Sequence, residues 1–335
     1  MQKKIRILIS EATNPWFNLA TEDWIFNELE ADCQTLFLWR NTETVVIGHY
    51  QNPWVECKTD KMEQDNVFLA RRQSGGGAVF HDLGNTNFTL LSPKEDYDQT
   101  ANFDIIIHAL KTFGIEAYLS GRNDLLVQEK KISGSAFKHK KDRSFHHGTL
   151  LVNANMSKLA DYLHPHPLKL AAKGIKSVRS RVANLVEFNP NIDHQNLCQA
   201  IIEAFQNHYQ QQVEVEILDE NQLAKLPALN KFYEKMADWD WRFGKTPEFT
   251  HQLETRFDWG IVDIRLKVEQ AHIEEVTIFS DALDVSLIGQ LKQSLQGQIY
   301  KFVDLKHTLE QLAQQHPQWQ KNIDDLIKWF ATEIH

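Results

Sequence analysis

The sequence predicts an α+β protein with two domains. Short runs rich in β-branched and aromatic residues, such as Thr35–Trp39 and Thr44–Gly48, are typical of strands. Other stretches have apolar residues at the three- and four-residue spacing of amphipathic helices. These strands and helices follow one another irregularly, without the strict alternation of a doubly wound parallel sheet. A length of 335 residues, of which 42% are hydrophobic, is enough for two domains with real cores.

Capping residues and apolar spacing predict the helices. Asn14 and Pro15 form a typical start, because Asn caps the first turn and Pro lacks the amide that would stay unbonded there. The stretch 16–29 that follows carries a broad apolar stripe, and 103–113 is also predicted to be helical. Asp193 is predicted to cap a further helix, since apolar residues recur after it at helical spacing.

Further strands are predicted from short apolar runs bounded by turn residues. They are Val67–Ala70, Ala78–Phe80, Asn87–Leu91, Asp124–Val127 and Gly148–Val152.

A change of composition marks the boundary between the domains. The stretch Trp239–His251 carries Gly244 and Pro247, which suits a linker. Beyond it, apolar and polar residues alternate as in a hairpin, and two helices are predicted to close the chain. We therefore expect a larger domain over residues 1–246 and a small α+β accessory domain over residues 250–335.

Charge and cysteine content exclude several classes of protein. The net charge of −9 argues against a global attraction to nucleic acid or to an anionic membrane, so a basic surface has to be local. Cys33, Cys57 and Cys198 form no Cys-x-x-Cys pair, and reduced thiols in a cytoplasmic protein are expected. No apolar run reaches the roughly 20 residues of a membrane-spanning helix, and the first is too short for a signal-peptide core.

The most unusual segment is RRQSGGGAVFHD, which spans residues 71–82. Three consecutive glycines let a backbone approach a ligand closely and turn its amides toward an anion. Arg71 and Arg72 add donors suited to carboxylate or phosphate, and Ala78–Phe80 adds an apolar strand. The segment has neither the Gly-Lys-Ser/Thr of a P-loop nor the spacing of a dinucleotide fingerprint. It predicts an anion site beside an apolar wall, the alternative being a glycine hairpin flanked by solvated arginines.

A second candidate lies in GRNDLLV at 121–127 and KKISGSA at 130–136. Lys131 precedes Ser133-Gly134-Ser135, which we predict to be a turn where a lysine can reach a ligand and neutralise phosphoryl charge. Asp124 opens a strand, and its carboxylate can hold Mg²⁺. A surface hairpin with a solvated lysine is the alternative.

A third candidate is the basic stretch LKLAAKGIKSVRSRV at 168–182. It holds five cationic residues and no acid: Lys169, Lys173, Lys176, Arg179 and Arg181. In a chain of net charge −9, such a stretch can embrace a nucleotide phosphate or attract an acidic protein. The alternative is a solvated basic face.

His146 and His147 are adjacent, which invites a metal hypothesis. Neighbouring residues of a strand point to opposite faces, so the two rarely bind one ion. We therefore expect them to line a pocket or to pack in a core. Trp239, Trp241 and Trp259 are expected to serve packing.

Together these stretches resemble the lipoate–protein ligase family along nearly the whole chain. The similar segments are NPWFNLATEDWIF, VVIGHYQNPWVEC, RRQSGGGAVFHDLGNTNFTL, GRNDLLV, KISGSAFK, FHHGTLLVNA and AAKGIKSVRSRVANL. The last part of the chain resembles the accessory domain of the larger bacterial members. The resemblance implies an α+β, biotin/lipoate protein ligase-like catalytic domain over 1–246 and a small accessory domain after it.

The resemblance also implies residue roles. Lys131 matches the essential catalytic lysine, and Asp124 a position near the phosphates and Mg²⁺. The implied lipoate-binding residues are Arg71, Ser74, Gly75, Gly76, Gly77, Lys131, His147 and Gly148. The implied ATP- or adenylate-binding residues are Arg72, Gly77, Ala78, Val79, Phe80, Asn123, Asp124, Lys131, Lys173, Gly174, Ser177 and Arg179, the last four within an adenylate-binding loop at 168–184.

The activity implied is ATP- and Mg²⁺-dependent conversion of lipoate to lipoyl-AMP, followed by lipoyl transfer to a lysine. The implied acceptors are the lipoyl domains of 2-oxoacid dehydrogenase E2 subunits and the glycine cleavage H protein. A cytoplasmic monomer that binds neither nucleic acid nor membrane is expected. Two alternatives stay open at this point: an octanoyl- or lipoyl-transferase of the same fold that uses no ATP, and a non-catalytic lipoate-binding protein. The preference for lipoate or octanoate also stays open.

Overall fold

The structure, a computed structural model, describes residues 3–28, 32–121, 123–163, 182–243, 250–269 and 271–334. The chain forms two compact units. The first consists of Met1–Ile47, Pro53–Gln73 and Ala78–Arg242, and the second of Gly48–Asn52, Ser74–Gly77 and Phe243–His335. Among the described residues, we find no helix that is both long and apolar enough to cross a membrane.

The first unit contains most of the strands and helices. Its strands are β1 (Lys4–Ser10), β2 (Cys33–Trp39), β3 (Thr44–Ile47), β4 (Phe68–Arg71), β5 (Val79–His81), β6 (Asn85–Pro93), β7 (Tyr118–Ser120), β8 (Asp124–Val127), β9 (Lys130–His139), β10 (Arg143–Leu151) and β11 (Val215–Leu218). Its helices are α1 (Pro15–Glu28), α2 (Pro53–Glu56), α3 (Thr59–Gln64), α4 (Gln99–Lys111), α5 (Lys158–Tyr162), α6 (His194–Tyr209), α7 (Gln222–Lys225), α8 (Pro227–Ala237) and α9 (Trp239–Phe243), whose last residue belongs to the second unit.

A large mixed sheet organises the first unit. In the described part of the chain its order is β11-β1-β2-β6-β10-β9-β8-β7, and β3, β4 and β5 form a smaller sheet. β1 runs parallel to β11 and β2, whereas the other neighbours in the large sheet are antiparallel. Side chains alternate between the two faces. Phe88 therefore lies in the core beneath α4 and α6, while Phe37 and Phe145 lie in the core against α1.

The predicted helix starts are confirmed. The Asn14 side chain accepts a hydrogen bond from the N–H of Trp16 at 3.0 Å, and α1 begins at Pro15. The Asp193 side chain accepts from the N–H of Asn196 at 2.8 Å, which satisfies an amide of the first turn of α6. The helix expected over 103–113 is α4, which starts earlier because Asp98 caps it.

The turn predicted at Ser133-Gly134-Ser135 is wrong. These residues lie inside β9, where Gly134 pairs with Asp124 on one side and Thr149 on the other. The reversal occurs instead at Gln128 and Glu129, whose φ angles of 47° and 62° suit a two-residue hairpin. Small residues in this strand therefore serve close approach rather than a turn.

The second unit contains a three-stranded antiparallel sheet of β12 (His251–Phe257), β13 (Gly260–Glu269) and β14 (His272–Ser280). The predicted hairpin corresponds to β13 and β14. Three helices follow, where two were expected: α10 (Val285–Leu295), α11 (Phe302–Gln315) and α12 (Gln320–Glu333). Their apolar faces and one face of the sheet form a single core.

Candidate active site

Lys131 and Asp124 form an ion pair where β8 meets β9. Lys131 Nζ lies 2.8 Å from Asp124 Oδ1, and the side chains are 30% and 29% exposed. A register shift between Leu125 and Leu126 sets Lys131 opposite Leu126, while Asp124 stays opposite Gly134. This irregularity lets the two side chains meet, as bulges commonly re-aim side chains. The sequence singled out both residues, and the structure brings them together.

Gly134 and Asn123 shape the surroundings of this pair. A Cβ at Gly134 would lie 3.2 Å from Cε and Nζ of Lys131 and 3.8 Å from Asp124 Oδ1. Glycine therefore leaves the room that the amine occupies. Asn123 Nδ2 donates to the Ser135 carbonyl at 2.8 Å, and the Ser135 N–H donates to the Asn123 carbonyl at 2.8 Å. Asn123 thus braces β9 beside the ion pair.

The predicted adenylate loop at 168–184 is described only at its end. Lys173, Gly174, Ser177 and Arg179 lie outside the described residues. The N–H of Ala183 donates to the Lys131 carbonyl at 2.9 Å, and Val182 forms a parallel bridge with Lys131. The described end of the loop is therefore attached to the strand that carries the lysine.

His147 belongs to a buried chain of hydrogen bonds that reaches Trp39. His147 Nδ1 lies 2.8 Å from Glu22 Oε1, and the Thr89 hydroxyl donates to the same oxygen at 2.6 Å. Trp39 Nε1 in turn donates to Thr89 Oγ1 at 3.2 Å. Because a carboxylate only accepts, it places a proton on His147 Nδ1 and fixes the orientation of the ring.

His146 points to the opposite face, as predicted for adjacent strand residues. Its ring lies 4.5 to 5.3 Å from the rings of Phe88, Phe103 and Phe137, and burial lowers its pKa to about 3. His146 and His147 therefore cannot bind the same ion. Within the described ranges, no group of three or more His, Cys, Asp or Glu side chains could hold a metal.

Gly148 also faces away from His147. A Cβ at Gly148 would lie 2.6 Å from Phe88 Cζ and 2.9 Å from Ser135 Oγ. The glycine thus accommodates the phenyl ring in the core beneath the sheet. Any contact of Gly148 with a ligand on the His147 face has to come from its backbone.

A second buried acid, Asp23, organises a neighbouring polar cluster. Its Oδ2 accepts from Gln73 Nε2 at 3.0 Å and lies 3.3 Å from Lys235 Nζ, while its Oδ1 accepts from Asn27 at 2.8 Å. Lys138 Nζ donates to Gln73 Oε1 at 2.9 Å, and burial lowers the pKa of Lys138 to about 8. Gln73 therefore joins α1 to β9 directly before the glycine segment.

Arg71 and Arg72 are buried rather than solvated. Arg71 Nε and Nη2 donate to the carbonyls of Trp241 and Arg242 at 2.8 and 2.9 Å, and Trp241 Nε1 donates back to the Arg71 carbonyl at 3.1 Å. Arg72 Nη1 donates to the Val46 carbonyl at 3.1 Å. Burial lowers the pKa of each guanidinium to about 10, so both stay cationic at neutral pH. The alternative considered from the sequence, in which solvated arginines flank a glycine hairpin, is therefore wrong for both arginines.

The three glycines lie in the second unit and differ in what surrounds them. A Cβ at Gly75 would lie 2.1 Å from the Ala282 carbonyl oxygen and 2.6 Å from that of Leu283. Gly76 has a φ of 93°, and its N–H donates to the Ala282 carbonyl at 3.1 Å. A Cβ at Gly77 would meet no described atom within 4 Å. Close packing thus requires Gly75, whereas Gly77 borders open space.

The apolar strand predicted at Ala78–Phe80 is β5, which starts one residue later. Its Phe80 ring stacks on Tyr162 with centroids 5.8 Å apart. The Tyr162 hydroxyl donates to Asp65 Oδ2 at 2.9 Å. Tyr162 thus ties α5, the last described element before the basic stretch, to β5 and to the end of α3.

Sequence reasoning missed the acids of α1 and their partners. Glu22 and Asp23 stand in the middle of the apolar stripe of NPWFNLATEDWIF, and both are at least 97% buried. Charged residues are almost never that deeply buried unless they are paired. Two acids on the apolar side of a predicted helix could therefore have predicted a buried polar site.

Comparison with known proteins agrees with this geometry. Residues 14–206 match the family model described as lipoyl protein ligase A/B catalytic domain. Residues 246–330 match the one described as bacterial lipoate protein ligase C-terminus. A lipoate-protein ligase A from Psychrobacter cryohalolentis is 68% identical over 336 residues, which cover 99% of each chain.

Solved structures give the same result. The structure of P. falciparum LipL1 in complex with lipoate is 36% identical, with a TM-score of 0.85, over 97% of this chain and 99% of that one. A bi-partite ligase from Thermoplasma acidophilum, solved with its E2 lipoyl domain, is 26% identical (TM-score 0.63; 73% and 98% covered). A lipoate-protein ligase A bound with ATP is 25% identical (TM-score 0.60; 73% and 99% covered). The chain belongs to the lipoate–protein ligase family.

Proposed function

We propose that this chain uses ATP to convert lipoate to lipoyl-AMP at Lys131 and then transfers the lipoyl group to a lysine of an acceptor domain. The observation that carries the proposal is the amine of Lys131, held 2.8 Å from Asp124 beside the space that Gly134 leaves. Relatives solved with lipoate and with ATP support both substrates.

Activation joins the lipoate carboxylate to the α-phosphorus of ATP. An oxygen–phosphorus bond forms, the bond from that phosphorus to the bridging oxygen breaks, and pyrophosphate leaves with the electron pair. Negative charge is concentrated at the α-phosphate, where the ammonium of Lys131 stabilises it. Asp124 holds the amine in place beforehand, so little reorganisation is needed during the reaction.

Transfer begins when the amine of the acceptor lysine attacks the acyl carbon. The bond from that carbon to the phosphate oxygen breaks, AMP leaves, and the new amide loses a proton. In this proposal Lys131 stabilises the oxyanion of this step as well. A cysteine acyl-enzyme is not part of the proposal, because Cys57 and Cys198 are buried and burial raises the pKa of each to about 12.

The binding roles implied by the resemblance are kept as proposals. Lipoate is assigned to Arg71, Ser74, Gly75, Gly76, Gly77, Lys131, His147 and Gly148. The adenylate is assigned to Arg72, Gly77, Ala78, Val79, Phe80, Asn123, Asp124, Lys131, Lys173, Gly174, Ser177 and Arg179. The contacts described above favour indirect roles for Arg71, Asn123 and Gly148, which would shape the site through the backbone they hold. Residues 1–246 would form the catalytic domain and 250–335 an accessory domain.

Mg²⁺ is proposed to enter with the phosphates of ATP. Asp124 is a single carboxylate, and one of its oxygens is paired with Lys131. It can supply at most one or two of the oxygen ligands that Mg²⁺ needs, and the phosphates and water would supply the others. The chain's own part is to hold Lys131 and Asp124 where the charge develops.

Lipoyl domains of 2-oxoacid dehydrogenase E2 subunits and the glycine cleavage H protein are the proposed acceptors. The Thermoplasma relative that was solved with its E2 lipoyl domain supports the first of these. We also propose a cytoplasmic location, which suits three buried thiols that are not joined in disulfides.

Lipoate-dependent exchange of labelled pyrophosphate into ATP tests the proposal. The wild type should catalyse exchange, and Lys131→Ala should lose at least about 100-fold, the typical effect of removing one electrostatic stabiliser. Lys131→Arg, which keeps the charge, is the matched control and should retain part of the activity. A transferase that uses no ATP would transfer acyl groups without exchange, and a non-catalytic binder would do neither. Either result would overturn the proposal.

A further inference from the structure

Asn87 is a deeply buried amide with no hydrogen-bond partner among the described residues. Its side chain lies in β6 and is 1% exposed. Neither Nδ2 nor Oδ1 has a hydrogen-bond partner among the residues that the structure describes. Buried amides are nearly always bonded, because an unbonded one loses its hydration without compensation. Such an exception points to a partner from outside the chain.

The sheet register gives the position of Asn87 relative to the catalytic amine. Asn87 lies between Trp39 of β2 and Thr149 of β10, and Gly134 of β9 follows beyond Thr149. Neighbouring strands are about 4.8 Å apart, so Asn87 lies about 10 Å from Gly134 on the same face of the sheet. The position of a Cβ at Gly134 is 3.2 Å from Lys131 Nζ. Asn87 is thus two strands away from Gly134, the residue beside the amine, on one face of the sheet.

His81 offers a second unused group beside Trp39. The two rings lie 6.0 Å apart. Asn41 Nδ2 lies 3.2 Å from His81 Nδ1, and Asn41 Oδ1 accepts from Asn18, which orients the Asn41 amide. His81 Nδ1 therefore accepts, and the proton is on Nε2, which has no partner among the described residues. Burial lowers the pKa of His81 to about 3, so the ring is neutral.

We infer that Asn87, with His81 against the neighbouring Trp39, determines specificity for the sulfur-bearing end of the acyl substrate. This inference rests on the proposed function, in which the acyl carboxylate is activated at Lys131. Standard bond lengths put the nearer sulfur of extended lipoate about 8 Å from its carboxyl carbon, comparable to the distance of about 10 Å between Asn87 and Gly134, the residue beside the amine.

The chemistry of the tail explains the discrimination. A disulfide sulfur accepts a weak hydrogen bond from an amide N–H, and the thiol of the reduced form donates to the amide carbonyl. A plain eight-carbon chain does neither, and its binding leaves Asn87 buried and unbonded. Sites that hydrogen-bond one substrate reject analogues that lack the bonding group more strongly than apolar pockets do.

Asn87→Leu tests the inference, because leucine has the shape of asparagine without its polar atoms. The assay is kcat/KM in pyrophosphate exchange with lipoate, dihydrolipoate and octanoate. We expect the lipoate-to-octanoate ratio to fall at least about fivefold, with KM for ATP unchanged. We also expect the Tm of Asn87→Leu to exceed that of the wild type, because the variant lacks a buried amide without hydrogen bonds. Replacing a functional group commonly stabilises a protein in this way.

Asn102→Leu is the matched control, since Asn102 is also buried but lies in α4 on the other side of the sheet. It should leave the ratio unchanged. The inference is overturned if Asn87→Leu leaves the ratio unchanged, or if both acyl substrates lose equally while Tm falls. Asn87→Ala repeats the comparison should the leucine variant not fold.

Failure of the proposed function gives a different result. In that case the wild type shows no lipoate-dependent exchange at all. Calorimetric titration of the wild type and of Asn87→Leu with lipoate and octanoate then decides the inference by itself. A preference for lipoate that the variant loses supports it, and equal binding of both acids by the wild type refutes it.

Discussion

Gly134→Ala is expected to slow adenylation by moving Lys131 rather than by unfolding the protein. The added Cβ would lie 3.2 Å from Cε and Nζ of Lys131 and 3.8 Å from Asp124 Oδ1. Favourable contacts between such atoms lie at about 3.5–4.0 Å, so the amine has to retreat by several tenths of an ångström. Because the lysine side chain is flexible and 30% exposed, this retreat costs little stability.

The size of the effect follows from how much the amine's position matters. A misplacement of about 1 Å can cost about 100-fold in rate, and loss of one electrostatic stabiliser costs about 100- to 1000-fold. A smaller displacement should lower lipoate-dependent pyrophosphate exchange about 10- to 100-fold, or about 1.4–2.7 kcal/mol in activation free energy. The free energy of unfolding should change by less than about 1 kcal/mol.

Gly84→Ala, in the turn before β6, is the matched control, because Gly84 has no assigned role in binding. Its Cβ would lie 2.1 Å from the Asn153 carbonyl oxygen, and a packed backbone atom cannot yield easily. We expect a loss of about 1–3 kcal/mol in unfolding free energy, measured by urea denaturation, with most of the exchange activity kept in the folded fraction. The reasoning is refuted if Gly134→Ala exchanges at the wild-type rate. It is also refuted if both variants lose activity in proportion to stability.

Three further predictions follow from burial and packing. Gly75→Ala should lower Tm, because its Cβ would lie 2.1 Å from the Ala282 carbonyl oxygen. Gly77→Ala should leave Tm unchanged and weaken lipoate binding, measured by calorimetry. Equal changes in Tm for the two variants would contradict this prediction. Arg71→Ala should lower the free energy of unfolding, measured in urea, by about 2–4 kcal/mol, because two backbone carbonyls lose their charged donors. If stability is unchanged and lipoate affinity is lost, Arg71 has a direct role in binding lipoate, and the indirect role proposed above is wrong. His146 has a pKa of about 3 when folded and about 6.5 when unfolded, so the unfolded chain binds the proton first. Stability should therefore fall as pH drops below about 6.5, and His146→Phe should flatten that fall in urea titrations at several pH values.

Much of the fold could be predicted because its signals are local. Asn14 and Asp193 cap helices through bonds to amides two or three residues away, which a sequence displays directly. Strand Asp124–Val127 was predicted with the bounds that it has in the structure. Lys131 and Asp124 were predicted together because they lie close to each other in the sequence.

The other features depend on pairings between distant parts of the chain. Gly134 in its Ser-Gly-Ser setting is typical of a turn, and only its partners on two neighbouring strands show why glycine stands inside β9. Arg71 meets carbonyls about 170 residues away. Asn87 is an ordinary strand residue in sequence, and its importance depends on a register that places Trp39 and Thr149 beside it.

Helix α1 shows how a buried scaffold comes to hold polar groups. Nearly all of its residues are buried, so acids at its centre cannot reach bulk water. Glu22 and Asp23 are consecutive, and their side chains bond to different elements. Glu22 is hydrogen-bonded to His147 and Thr89 of the large sheet, and Asp23 accepts a hydrogen bond from Gln73, which precedes the glycine segment. An apolar pair would cost less desolvation and pack as well. The acids instead fix the orientations of His147, Thr89 and Gln73 within the first unit, as buried polar networks do when every member is bonded. Their burial therefore marks α1 as a place to look for function, on an observation independent of the motifs that surround Lys131.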